Sequence, residues 1–477
     1  MSLKLRALTF LLPLLVLSFS SCDLFKSSKT AVVLSSATLE TTTFIDETFK
    51  ISPDMKHFCY GMEVGDKGRM IIDGVQQPMY DSVRRAVYSS DSRRLAYYAA
   101  TGDKQFVVLD GQAGPLYDAI LSQSVIFSPD ATELIYVGRR GDKWNLVRNG
   151  IERAEYEFVL APTIKFSPDG RNLAYIIKEG HDWYAVLNGE IQRDFEIMGG
   201  SAILRRTQRS PCDEIPLVEY IPADLAFSPD GKTLAYTAVH LNKQYVVVNG
   251  KKGKEYDRVQ TLVFSPDGQH LAYRAQIGDQ WTLVFDGEEG KLYDQIWDHT
   301  PIFNPATQRP AIVAAMGEQW FTVIDGQEGT PYLNIGKFVL SSDGEHYAYK
   351  TFSETPQKRW FIVSDGNELA DHEGVGNPVL SDRGGHLAYR ADFSDRQFIV
   401  LDGESQRAYK EVHDPIFSSG GNHLAYQVQY HGGYFVVLDG EMSDPYAYIF
   451  EMRFIGDKLY YAAVKDNTIQ LIETVIR

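Results

Sequence analysis

The 477-residue chain is 44% hydrophobic and 23% charged, and its 28 Tyr and 25 Phe against 9 Met exclude a disordered chain and lean toward strands, where aromatic side chains fit a pleated, packed surface. A formal net charge of −16 repels polyphosphate, and the short run "ILRRTQR" is too small to reverse it, which excludes nucleic acid as a partner. The length far exceeds one ordinary domain, so the chain must divide into domains or repeats.

At the N-terminus, Lys4 and Arg6 precede an apolar stretch from Ala7 to Leu17, followed by small residues ending in "SFSSC". Residues 1–21 read as a cleaved secretory signal, too short for a membrane span. The ending resembles the bacterial lipoprotein signal, in which the cysteine after the cut is lipidated. Cys22 takes that place here, with Phe19 where the motif usually has Leu; plain secretion is the competing reading. Residues 22–46 then read as a lipid-anchor tether and a first strand. Asp23 resembles the inner-membrane retention signal of enteric bacteria, which leaves the membrane and its side open. Of the three cysteines, Cys59 in "HFCYG" reads as a buried thiol. No disulfide framework or C-x-x-C pattern is present, and no cofactor or metal is expected.

From residue 47 to 477 the chain repeats itself. A turn dipeptide recurs at Asp73, Asp110, Asn149, Asn188, Asn249, Asp286, Asp325, Asp365, Asp402 and Asp439, each followed by Gly, at spacings of 37, 39, 39, 61, 37, 39, 40, 37 and 37. The long interval holds an insertion or domain boundary at 193–222. In the copy from 225 to 261, "LAFS" is a first strand, "PDGK" a tight turn, "TLAYTAV" a second strand and "QYVVVNG" a third, with "KEYDRVQT" supplying the fourth. Four antiparallel strands in each unit predict β-propeller blades. Apolar residues on both faces of "WTLVFDG" fit sheets packed on both sides.

"FSPDG" followed by "LAY", nearly intact at 166–175, 227–236 and 264–273, resembles the TolB-like, WD-repeat-like propeller family over residues 47 to the C-terminus. The resemblance implies the fold and leaves function open. The tail from Met452 supplies three strands of an eleventh unit, and "LETTTFIDETF" is the expected source of its missing strand, closing the ring. The expected fold is therefore an all-β propeller of ten to eleven four-stranded blades. Since eleven exceeds the usual ~4 to 8, two adjoining propellers are favoured over one large ring.

The Gly turns make one face repetitive, so function is sought on the other, where the loops between second and third strands vary. Trp144, Trp183, Trp281, Trp320 and Trp360 share one repeat position there, beside Asp142, Asp182, Asp279 and Glu318. They form a candidate binding face for a peptide or a sugar, or else pack between blades. The connections "WDHTP" and "VHDPI" place Trp297, Asp298, His299, His413 and Asp414 near a channel mouth; two Asp and two His suit a metal, but no ligand spacing supports one. His270, His346, His386 and His423 recur at a strand start, where symmetry spreads them apart. "DGxxG" lacks the alternating oxygens of a calcium loop.

No nucleophile elbow is present. The reading is an exported, lipid-anchored propeller in a bacterial cell envelope, facing the periplasm or the cell surface, that binds envelope proteins as a scaffold without catalysis. Rival readings are a glycan-acting enzyme with carboxylates in the channel and a small-ligand sensor. A broad apolar patch on one face would favour the scaffold.

Overall fold

A computed structural model describes residues 30–38, 44–193, 224–354 and 358–475. The described residues form 48 strands and no helix, arranged as eleven antiparallel sheets. Each sheet is a blade of four strands in chain order. In four blades the first strand is broken into two short pieces that both pair with the second, as Gln295–Ile296 and Ile302–Phe303 do with Pro310–Met316.

Blades 1 to 5 occupy residues 44–80, 82–113, 119–156, 158–191 and 225–252. Blades 6 to 10 occupy 258–293, 295–328, 335–368, 374–405 and 411–442, and blade 11 joins 448–475 to 30–38. The first strands of consecutive blades touch one another, so they line the channel, and the fourth strands form the rim.

One closed ring replaces the two adjoining propellers expected from the blade count. An apolar cluster fills every gap between neighbouring blades, eleven in all among the described residues. Leu160, Trp183 and Leu225 share the cluster between blades 4 and 5, so packing continues from one side of the 193–222 insertion to the other. Residues 194–223, which take in all of the insertion but Arg193, lie outside the described residues, as do the signal segment and Cys22.

The "LAY" triplet explains how the blades stack. Leu234 and Tyr236 turn toward blade 4, whereas Ala235 between them turns toward blade 6. A large residue toward one neighbour and a small one toward the other keeps adjacent sheets close to parallel, and the shallow wedge accommodates many blades.

Closure does come from both termini, but through a different segment. Thr30–Thr38 ("TAVVLSSAT") is the outermost strand of blade 11, antiparallel to Thr468–Val475. The expected "LETTTFIDETF" instead runs into Phe44–Ile51, the first strand of blade 1. Ala37 packs with Phe58, Tyr60, Ile469 and Leu471 across the seam. Ala37 therefore ties the first blade to the last.

In seven of the eleven blades the fourth strand is only two residues long. In blade 5 the fourth strand is Lys251–Lys252 with a single further bridge, Gln244 to Tyr256, and Arg258–Phe264 already belongs to blade 6. Gly253 lies at the interruption, its N–H donating to Val246 O at 2.9 Å, and a Cβ there would stand 3.0 Å from that oxygen. Gly114 of "DGQAG" makes the same contact with Val107 O at 2.9 Å, so the second glycine of these motifs serves a bulge in the rim strand.

Candidate functional site: the two faces of the ring

The repetitive face is built from self-satisfying turns. In "SPDG" turns such as 265–268, Ser265 Oγ donates to Asp267 and accepts the N–H of His270 at 3.0 Å; the serine hydrogen bond holds the Asp267 carboxyl below its ordinary pKa. In the Asp-Gly turns both residues have positive φ, 51° and 86° at Asp286 and Gly287, the geometry of a type I′ hairpin. Asp286 Oδ1 accepts the N–H of Leu271 at 3.0 Å, and Oδ2 meets His270 Nδ1 at 2.6 Å.

The same His–Asp contact recurs at His57–Asp73, His346–Asp365, His386–Asp402 and His423–Asp439, with Arg94–Asp110 as a variant. Where the turn residue is Asn149, Asn188 or Asn249, its opposite number is Glu133, Asn172 or Thr233. The histidine- and arginine-faced turns are thus ion-paired, two of the Asn turns face a neutral residue, and Glu133 pairs with Arg148 instead. The recurrent histidines are turn partners, and Asp365 raises the pKa of His346 through its hydrogen bond.

On the variable face, the turns between second and third strands are strapped to the connections between blades. Asp118 Oδ2 accepts the Gly141 N–H of blade 3 at 2.7 Å while Oδ1 receives Lys104 of blade 2 at 2.6 Å. Asp81 repeats the arrangement with Gly102 and Lys67, and Asp257 with Gly278 and Lys243. These contacts depress all three carboxyls, led by the lysine for Asp118 and Asp257 and by the glycine N–H for Asp81. Asp294 and Glu373 accept the equivalent backbone N–H groups of Gly317 and Ser394.

The five tryptophans divide into two groups. Trp144 and Trp183 are only 5% and 6% exposed, buried in the clusters between blades 3 and 4 and between blades 4 and 5. They therefore offer no free aromatic surface, a correction to the expected five-membered binding face. Phe158 covers both, its ring 6.0 Å from each. Trp281, Trp320 and Trp360 are half-buried, each packed toward the next blade along one edge. Gln295 and Asn334, both exposed, hold the places that correspond to Phe158 in blades 7 and 8.

Around these half-open tryptophans lie apolar residues that the composition of the turns did not bring forward. Met316 is 41% and Phe393 63% exposed at the ends of second strands; Ile277 occupies the same position in blade 6, and Leu241, just beyond it in blade 5, is 83% exposed. Leu333, in the connection into blade 8, is exposed as well. Phe352 lies 4.8 Å from Trp360. The corresponding residues of blades 2 to 4 are Thr101, Arg140 and Glu179, and the last two are paired with Glu152 and Arg193. The second-to-third-strand ends are thus polar on blades 2–4 and apolar on blades 6, 7 and 9, while blade 5 follows His240 with the exposed Leu241 and blade 8 has Ser353. Asp142, Asp279 and Glu318 are exposed in their turns, and Asp182 is half-buried. The visible signal for the apolar arc was the residue before the turn glycine in "IGDQW" and "MGEQW".

The channel residues are not gathered. Asp298 and His299 come from blade 7 and His413 and Asp414 from blade 10, all exposed, while Trp297 packs into the gap between blades 7 and 8. Asp414 receives Asn377 at 3.4 Å, and His299 lies edge-on to Trp297. No group of three or more His, Cys, Asp or Glu among the described residues could hold a metal. A groove of about 390 Å³ follows the seam, lined by Ser36, Thr38, Tyr60, Met62, Asp73 and Gln76 among others.

No family model matches the chain, and no curated protein does. Among solved structures 444 chains match. A crystal structure of the eukaryotic initiation factor is 11% identical over 71% of this chain and 90% of its own, with a TM-score of 0.39. The β-propeller domain of the Trilobed protease from Pyrococcus furiosus is 13% identical over 65% and 91%, with a TM-score of 0.26. TolB from Acinetobacter baumannii is 13% identical over 68% and 62%, with a TM-score of 0.24. At such scores the superpositions carry no argument about function. The chain's own strand order and its eleven packed gaps define it as an eleven-bladed β-propeller.

Proposed function

We propose that this propeller is a lipid-tethered envelope protein that holds a partner protein against its variable face, performing no chemistry itself. The observation that carries the reading is the set of exposed apolar residues Leu241, Ile277 and Met316 on blades 5, 6 and 7 and Phe393 on blade 9, with half-open tryptophans on blades 6, 7 and 8. Contiguous apolar surface of this kind marks interaction sites in folded proteins, and a rigid ring presents it with little ordering cost.

The direction of the closing strand agrees with a tether. Thr38 pairs with Thr468 beside the turn at Asp466 and Asn467 on the variable face, and Thr30 pairs with Val475 at the opposite end. A tether from Cys22 that entered the ring at Thr30 would meet it on the Gly-turn face, which supports a variable face directed away from the lipid. The resemblance of the "FSPDG" repeats to TolB-like proteins supports an envelope setting.

Site-specific photo-crosslinking in cells of the source organism tests this. A photoreactive phenylalanine analogue at position 316 or 393 is expected to yield a discrete protein adduct, and one at 140 or 179 none. Equal labelling at all four positions, or none at any, would contradict the reading.

A further inference from the structure

We infer that the part of the arc on blades 6 and 7 is built for a positively charged, apolar segment of a partner polypeptide. The inference rests on the variable face being a binding surface and adds the chemistry of what binds there. Ile277, Met316, Leu333 and the open edges of Trp281 and Trp320 supply apolar contact. Around them stand four exposed carboxylates, Asp279, Asp294, Asp298 and Glu318. In the turns and connections 276–280, 293–299, 315–320 and 329–337, Lys337 is the one Lys or Arg; on the blade 6 side the patch is flanked by the Asp257–Lys243 pair and the exposed Arg258.

The polar sector shows that this imbalance is local. Its turns set Arg139, Arg140 and Lys143 around Asp142, and Lys178 and Arg193 around Glu179 and Asp182. There the charge is neutralised within the chain. On blades 6 and 7 the carboxylates form an acidic rim around an apolar floor, which steers and orients a cationic partner. Indole faces add to this, since a cation over Trp is attracted by the ring. Arg274 already makes that contact from within, 5.1 Å from the Trp281 ring.

The test uses fluorescence anisotropy with three short labelled peptides: alternating Leu-Lys, alternating Leu-Glu and alternating Ser-Lys. The full propeller is expected to bind the Leu-Lys peptide in preference to both others. An Asp279→Lys, Glu318→Lys variant should weaken that binding about tenfold or more. An Asp103→Lys, Asp142→Lys variant, with the same net charge change on blades 2 and 3, should stay within about twofold of the parent. Equal loss in the two variants would overturn the inference, because binding would then follow net charge alone. Equal affinity for the Leu-Glu peptide, lost on Met316→Ser, would also overturn it while leaving the binding-surface reading intact. No binding of any peptide overturns it too, and the crosslinks at 316 and 393 then decide separately whether the face binds a protein.

Discussion

Blades 3–4 and blades 6–7 carry a tryptophan at the same repeat position and use it differently. In the first pair Phe158 closes over Trp144 and Trp183, and neighbouring charges pair with one another. In the second pair Gln295 and Asn334 stand where that phenylalanine would be, so Trp281 and Trp320 remain half-open among Ile277, Met316 and Leu333. The residue at one first-strand position, Phe158 on blade 4 against Gln295 and Asn334 on blades 7 and 8, thus accompanies the change of the tryptophan from core to surface. A repeat protein can specialise a sector in this way without altering its scaffold.

The largest expected effect of breaking this contrast is on stability. Trp144→Ala removes a buried indole and should cost about 3–5 kcal/mol, read as a lowered urea midpoint. Trp320→Ala should cost roughly half as much, because one edge of the ring already faces water. Equal losses would mean that the two sectors are packed alike.

Straps between blades come next. Asp118→Asn removes the charge that Lys104 pairs with, and it should lower the thermal midpoint modestly at neutral pH. Asp118 has a depressed folded pKa, so its contribution is complete above the ordinary Asp value near ~3.9 and disappears as pH falls through the lower folded value. Wild type and variant should therefore converge in acid. Asp294→Asn, whose connection carries no such lysine strap, should show a smaller difference at neutral pH.

A smaller effect with the opposite pH direction belongs to the repetitive face. Asp365 raises the pKa of His346, so this pair stabilises the fold fully below the ordinary His value near ~6.5 and less as pH rises through the folded value. Thermal midpoints of wild type and His346→Asn should differ most on the acid side of that window, so long as Asp365 stays ionised. Blade 3, with Glu133 and Asn149 at the equivalent positions, has no histidine there to titrate in that window.

Least of all, Met316→Ser should change stability by no more than about 0.5 kcal/mol while abolishing the adduct formed from position 393. An unchanged adduct would separate Met316 from the surface that binds.

The blade unit was legible because its information is local: the Asp-Gly turn, the serine turn and the Leu-Ala-Tyr alternation each sit within a few residues. Ring closure was legible too, since three strands at the C-terminus need a fourth. Which strand supplies it was not, because "TAVVLSSAT" lies in a stretch read as tether and the more conspicuous "LETTTFIDETF" runs into the first strand of blade 1. The single ring was hidden for a different reason. Blade number follows from the wedge angle between sheets, a property of Leu234, Ala235 and Tyr236 packing against two different neighbours, and no local segment encodes it. The candidate site was half legible: five tryptophans share a register, but their exposure depends on first-strand residues such as Phe158, Gln295 and Asn334 that lie on other strands. The apolar residues before the turn glycines were in plain view and gained meaning only once consecutive blades were seen to be adjacent.

Hydroxyl-radical footprinting of the intact protein, read residue by residue by mass spectrometry, tests the division of the variable face most directly. Met316, Phe393, Trp281 and Trp320 should oxidise well ahead of Trp144 and Trp183. Comparable oxidation of all four tryptophans, or protection of Met316 and Phe393, would contradict an open apolar sector and with it the binding surface proposed for this ring.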